Sequence, residues 1–317
     1  MISYIIRRVL IFIPVLIGIT IIVQFLIVAA PGDPARIIVG ATEDEGAYER
    51  VREELHLDDP IYVRYWRFIS GVMRGDFGTS WANRRPILPE ILARWSYTVR
   101  LATISVVLAA IIGIPLGIFA ATHQYTLLDN GAILLSLAAV SMPNFWFALL
   151  LVQLFSVRLG LVPVAGVKSW QGWILPVLSL ALGYAASITR QMRSNMLEVV
   201  RQDYIVTVRA KGLTERKVLF KHACKNALIP VLQIIGSIYG MALGGALVAE
   251  MIFSIPGLGS YTLTGLINRD YPVVQANVLF LSVMFCIIML LIDLSFAFVD
   301  PRIRSQFARR KKALKAN

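Results

Sequence analysis

Six long apolar runs, nearly free of charge, constrain this chain more than any other feature: residues 9–30, 101–121, 131–157, 171–189, 227–253 and 273–299. A helix needs about 20 apolar residues to cross a hydrocarbon core of about 30 Å. Backbone N–H and C=O groups in lipid have no water to bond, so each spanning segment must satisfy them internally. Runs of this length are too long for strands, and the pattern predicts an all-α integral membrane protein with six transmembrane helices. The composition agrees: 57% of residues are hydrophobic and the mean hydropathy is +0.69.

A net charge of +12 would suit a nucleic-acid partner if it formed one patch. It does not. With both termini inside, the inner segments hold Arg7 and Arg8, nine Lys/Arg in 190–226 and seven after Val299, eighteen in all. The short outer loops hold three: Arg158, Lys168 and Arg269. The positive-inside rule therefore predicts an N-in, C-in chain that meets lipid rather than nucleic acid. Loop 123–130 should be inside yet has no Lys or Arg. The segment 31–97 carries nine Arg and eleven acids, and is long enough to be exempt from the rule. The run 9–30 exceeds a typical signal-peptide core and precedes Pro31, which predicts a retained signal anchor. Cys224 and Cys286 are too far apart in the pattern to propose a disulfide or a metal site.

The organisation follows from these runs. Residues 1–30 form the N-terminus and first span. Residues 31–97 form an external helical segment. Residues 98–299 form a five-helix membrane core with an inner loop at 190–226, and 300–317 a basic inner tail. Within the external segment, Thr42 with Glu45 fits a capping box. Asp59-Pro60 fits a cap opening a helix to about Arg74. Gly75-Asp76-Phe77-Gly78 then breaks the chain, and Pro86 and Pro89 lead into the second span. Several spans contain helix breakers: Gly113, Pro115 and Gly117; Pro143; Pro176 and Gly183; Pro230, Gly236, Gly240, Gly244 and Gly245. These serve close helix packing, or kink helices that line a pathway.

The inner loop 190–226 has more structure than orientation requires. Tyr204, Ile205 and Val208 share a helical face, with Arg201, Arg209 and Lys211 nearby. Gly212 fits a left-handed C-cap, and Thr214 fits an N-cap of a helix running into the fifth span. A short helix, an elbow and a longer helix are expected, with the apolar and basic short helix placed to dock in a groove of a soluble partner.

This loop resembles the EAA loop of permease subunits of binding-protein-dependent ABC importers. The triplet positions hold Val206, Thr207 and Val208, Gly212 is kept, and Lys225 stands where the family has Pro. The segment Arg209-Ala210-Lys211-Gly212-Leu213 is similar to the branch that imports dipeptides, oligopeptides, nickel and related solutes. So are Ile6-Arg7-Arg8, Pro31-Gly32-Asp33-Pro34, Gly75-Asp76-Phe77-Gly78-Thr79-Ser80, Ser141-Met142-Pro143, Ile255-Pro256-Gly257-Leu258-Gly259, Arg269-Asp270-Tyr271-Pro272-Val273-Val274-Gln275 and Asp300-Pro301-Arg302-Ile303-Arg304. The long external segment resembles the first of that branch's two permease subunits. The resemblance implies a type I ABC importer transmembrane fold in a bacterial or archaeal plasma membrane. It also implies a second permease subunit, two ATPase subunits and an external solute-binding protein. Residues 204–213 would be the coupling helix: Tyr204, Ile205, Val208, Arg209, Ala210, Lys211, Gly212 and Leu213.

No Gly-x-x-x-x-Gly-Lys-Ser/Thr occurs, so ATP and Mg would bind the partner ATPases, and no cofactor is expected in this chain. His56, His123 and His222 have no metal-ligand spacing, and no nucleophile–base pair can be argued, so no catalysis is expected. Pro143, Asn144, Gln233 and Glu250 are the pathway or gate candidates. Against them stand plain roles, a helix–helix hydrogen bond for Gln233 and a helix end at the outer interface for Glu250. An ion-coupled secondary transporter using Asp293 or Glu250 as its proton site is the alternative. Nothing in the residues chooses among peptides, nickel complexes, glutathione-like molecules and oligosaccharides.

Overall fold

A computed structural model describes residues 2–29, 32–39 and 45–299. The proposed Thr42 cap and the basic tail 300–317 lie outside the described residues. Within them the chain is helical apart from turns and one isolated bridge, Thr79 to Pro86. Five helices are long and apolar enough to cross a membrane, and 144–158 is a shorter apolar helix.

Contacts divide the chain into two compact units. The first takes the chain up to Thr98 together with Pro256–Ile287. It contains α1 (Ile2–Ala29), α2 (Pro34–Val39), α3 (Glu45–Glu54), α4 (Ile61–Met73) and the start of α5 (Ile87–Thr122). Pro60, rather than Asp59, is the residue that caps α4, and it makes no side-chain cap bond. Asp59 instead accepts from Arg67 at 2.6 Å. Ile87 and Ile91 of α5 pack with Leu258, Tyr261, Val273, Ala276 and Phe280 in a buried core. Thr98 Oγ1 accepts from the Leu258 N–H at 2.9 Å, satisfying an orphan donor at the helix that begins there.

The second unit takes Val99–Ile255 and the chain from Ile288 onward. It holds the rest of α5, then α6 (Leu127–Ser141), α7 (Asn144–Leu151) continuing as a π-helical turn Val152–Arg158, and α8 (Ile174–Val200). The apolar run 131–157 is thus two helices. Met142 adopts an extended conformation before Pro143, as Pro forces on its predecessor, and α7 restarts after it. After α8 come α9 (Asp203–Ala210), a single turn α10 (Glu215–Lys217), a π-helical segment Val218–Ala223, α11 (Cys224–Gly245) and α12 (Leu247–Ile252). The helices α13 (Leu258–Ile267) and α14 (Tyr271–Val299) close the chain.

The glycines of the second span serve packing. A Cβ added at Gly113 would lie 2.8 Å from the Ala185 carbonyl oxygen, and one at Gly117 would lie 2.5 Å from Met192 Cβ. Gly113-x-x-x-Gly117 therefore lets the backbones of α5 and α8 approach closely. Gly236 does the same against Ile292 of α14, where an added Cβ would come within 2.6 Å.

Candidate functional site

The loop between α8 and α11 folds as a helix, an elbow and a second helix. Gln202 turns out of α8 in extended conformation, and α9 begins at Asp203, an acid in the first turn where the helix dipole favours it. An isolated helix of eight residues is unstable in water, so α9 must be held by the rest of the fold. Ile205 is fully buried, Tyr204 Oη accepts from Asn226 Nδ2 at 2.7 Å, and Val208 is half-buried. The apolar triplet therefore faces inward and anchors the helix rather than protruding. The outward face is Val206, 57% exposed, with Thr207, Arg209 and Ala210. Lys211 and Gly212 are exposed beyond it, and Leu213 is half-buried.

Gly212 has φ +77°, as its cap position requires; a residue with a Cβ would cost about 1 kcal/mol or more there. Thr214 occupies the N-cap position, but its backbone carbonyl takes the bonds, from Lys217 and Val218, and its side chain makes no cap bond. Arg209 closes the elbow by donating to Glu215 at 2.6 and 3.1 Å. Val218–Ala223 widens into a π turn just before α11, with Val218 and Ala223 buried. The result is a rigidly braced corner that presents a small apolar and basic surface.

Two residues that sequence reasoning missed tie this corner to the neighbouring loop. Asp129 is almost completely buried and accepts from Arg193 Nε and Nη2 at 2.6 and 2.7 Å. It also accepts from the Tyr125 N–H at 3.1 Å, while Thr126 Oγ1 caps α6 through the Asp129 N–H. The Arg193 guanidinium holds the Asp129 carboxyl below the usual carboxylate range, with the Tyr125 N–H assisting, against the cost of burial. Arg190 donates to the Ser136 carbonyl one turn further along α8. Loop 123–130 carries no Lys or Arg, and Arg193 of α8 supplies the positive charge to it. The only signal in the sequence was a lone acid at an inner loop.

The second feature is a groove of about 540 Å³ formed by α5, α6, α7 and α8. Phe119, Met142 and Phe147 give it apolar walls; Asn144, Ser179 and Thr189 give it polar points, and none of the described residues lining it is ionisable. Of the pathway candidates, Asn144 lines this groove, 3.7 Å from where a Cβ on Gly183 would sit, and Pro143 caps α7 beside it. Gln233 is exposed on α11, and Glu250 is fully buried in α12; neither is on the groove. The four candidates are therefore not one site. Among the described residues no group of three or more potential metal ligands occurs.

Residues 113–305 match the family described as binding-protein-dependent transport system inner membrane component. Residues 1–102 match the N-terminal region of membrane components of the same transport systems. The chain belongs to this family. Curated relatives extend the match along nearly the whole length. The chain is 40% identical over 304 residues to the glutathione transport system permease protein GsiC of Escherichia coli K12, covering 96% of this chain and 99% of the relative. The same figures hold for GsiC of Salmonella paratyphi A. Among solved structures, the MetNI methionine ABC transporter aligns with TM-score 0.58 at 17% identity, over 68% of this chain and 98% of that one. An amino acid ABC transporter with histidines aligns with TM-score 0.54 at 15% identity, over 66% and 94%. These likenesses place the helices in the type I importer transmembrane fold that the sequence predicted.

As a member of this family, the chain is a multi-pass permease subunit of the bacterial inner membrane. It forms part of the translocation pathway of an ATP-driven importer and is not itself catalytic. Membership brings ATPase and solute-binding partners.

Proposed function

We propose that this chain is the first of two different permease subunits in an importer of glutathione or similarly sized peptides, assembled with two ATPase subunits and one external solute-binding protein. The near full-length likeness to glutathione permeases carries the solute class. The groove is consistent with a peptide backbone: its amide and hydroxyl points can bond peptide groups, while the solute's charged ends, for which the described residues of the groove hold no ionisable partner, stay with water or the other subunits. In this reading the groove with Asn144 is this chain's share of the pathway. Residues 31–97 lie outside and meet the binding protein. The 190–226 loop and the tail 300–317 lie inside, as the charge asymmetry favours.

The coupling element is α9 with its elbow. Its Val206, Thr207 and Ala210 face, edged by Arg209 and Lys211, seats in a groove of an ATPase subunit, and Gly212 sets the angle between that helix and the fifth span. Movement of the ATPases then passes through Ile205, Tyr204–Asn226 and Arg209–Glu215 into α8 and α11, rearranging the membrane helices by rigid-body motion. The test is uptake by proteoliposomes holding the complete importer and its binding protein. ATP-dependent accumulation of labelled glutathione, competed by short peptides, is the expected result. Accumulation without ATP that an uncoupler abolishes would sink the reading.

A further inference from the structure

The external segment contains one helix whose neighbours lie at membrane depth. On α4, Tyr65 Oη pairs with Thr20 Oγ1 of α1 at 2.9 Å. Thr20 is nine residues before the end of α1 at Ala29, about 14 Å along the axis at about 1.5 Å per residue. Half of a hydrocarbon core is about 15 Å. Phe68, one turn further along α4, lines a narrow crevice together with Ile19, Thr20 and Val23 of α1 and Val278 and Leu279 of α14. All of these are residues of spanning helices, so α4 cannot sit above the membrane while α1 and α14 cross it.

The three sides of α4 are chemically distinct. One side, Tyr65 and Phe68, packs on α1. A second, Arg64 and Arg67, borders a polar cavity of about 280 Å³ shared with Gln24, Asp76 and Gln275. Arg67 is also paired with Asp59, in the turn that leads into α4. The third is a stripe at helical spacing, Tyr62, Trp66 and Met73, exposed at 72%, 70% and 82%. No side chain of the described residues covers it. On α1 itself Ile21, Ile22, Phe25 and Leu26 are exposed, and α1 is the least buried of the five spanning helices. Tyr and Trp on one face with charges on the other is the pattern of a helix lying at a membrane interface.

We infer that α4 is embedded in the leaflet at the C-terminal end of α1, with Tyr62, Trp66 and Met73 against phospholipid and Arg64 and Arg67 on the polar cavity. The helix then walls that cavity off from lipid, and charges at this depth face protein and water rather than acyl chains, as such charges do. The occupant of the stripe is lipid, because α4 is seated against spanning residues of α1 and α14 and turns its arginines to another side.

The inference is tested on the assembled importer in liposomes. Nitroxides are placed at Tyr62→Cys, Trp66→Cys and Met73→Cys in a Cys224→Ser, Cys286→Ser background. Collisions with oxygen are compared with those of a water-soluble nickel chelate. Oxygen should exceed the chelate several-fold at all three positions, as at an Ile22→Cys control, with the reverse at Glu49→Cys. Chelate dominance at 62, 66 and 73 overturns the inference, because the stripe then faces water. So does shielding from both reagents, which means a protein covers it. Chelate dominance at Ile22 too removes α1 from the membrane and overturns the inference together with the spanning assignment. If the cysteine-free chain does not assemble, quenching by nitroxide-labelled lipids is compared between the natural chain and Trp66→Phe. Loss of a lipid-quenched component on that substitution supports the inference, and identical quenching overturns it.

Discussion

The inward turn of the α9 triplet separates anchoring from docking, and two substitutions one residue apart should reveal it. Ile205 is fully buried, so Ile205→Ala removes packed methyl groups and costs about 2–5 kcal/mol. The helix has only eight residues and cannot hold itself together. Its other restraints are weaker: the half-buried Val208, an exposed hydrogen bond, Tyr204–Asn226, of about 1 kcal/mol, and an exposed ion pair, Arg209–Glu215, of about 0–1 kcal/mol. Ile205 therefore dominates the local stability. At a factor of ten per 1.4 kcal/mol, local opening of 203–213 should rise between about 30-fold and several thousand-fold. Amide hydrogen exchange by mass spectrometry reads this directly. Val206→Asp is the counterpart. The side chain is 57% exposed, so exchange should be unchanged, since exposed substitutions stay within about 0.5 kcal/mol. If Val206 enters an ATPase groove, a carboxylate there is desolvated without a partner and costs at least about 2 kcal/mol of association. ATPase stimulation by loaded binding protein should then fall more than tenfold. Two results would refute the reasoning: unchanged exchange in Ile205→Ala, which removes the anchor, or full stimulation in Val206→Asp, which removes the docking face.

Two further outcomes are expected. Gly117→Ala should lower the thermal midpoint in detergent, because a Cβ 2.5 Å from Met192 Cβ overpacks the α5–α8 contact by about 1–3 kcal/mol, more than the roughly 1 kcal/mol of helix propensity it gains. Gly131→Ala, with open space around it, should raise the midpoint or leave it, and shifts of the same sign in both variants would show that propensity alone governs. Asp129 has a depressed carboxyl pKa when folded, so its stabilising effect is complete above the unfolded value of about 3.9 and is lost as pH falls through the lower folded value. The drop in midpoint from pH 7 to pH 3 should therefore be smaller in Asp129→Asn than in the natural chain; an equal drop would deny that the Arg193 pair titrates there.

The membrane helices were legible because apolar length is a local property. The break in the third run was also written locally, since Pro143 restricts Met142, yet the run was long enough to read as one span. The elbow was legible because Gly212 and Thr214 act within a few residues of themselves. The facing of α9 was not. Eight residues with apolar side chains at 204, 205, 206 and 208 have two plausible inner faces, and the start of α11, through Asn226, decides between them. The Asp129–Arg193 and Ser80–Asp270 pairs were hidden for a plainer reason: 64 and 190 residues separate the partners.

That last pair explains what two of the motifs do. Gly75–Ser80 and Arg269–Gln275 looked like separate signatures, but they form one assembly. The Asp270 carboxylate accepts from the Ser80 hydroxyl, from the Trp81 N–H at 2.9 Å and from the Ala82 N–H at 3.3 Å. Trp81 stacks edge-on with Tyr271 at 5.9 Å, and Gly78 accepts from the Ile87 N–H just as α5 begins. These bonds build the first unit, while other motif residues, Asp76, Thr79, Tyr271 and Gln275, line the cavity beside α4. The faces proposed to meet other molecules are of another kind: the exposed Val206, Thr207 and Ala210 on α9, and Tyr62, Trp66 and Met73 on α4. A groove or a lipid leaflet asks only for small or amphipathic side chains at helical spacing, and many residues meet that demand. A buried carboxylate asks for particular donors at fixed positions. In this chain the motifs around Ser80 and Asp270 therefore mark where the protein binds itself, and which side of α9 or α4 is left exposed is found only once the helices are in place.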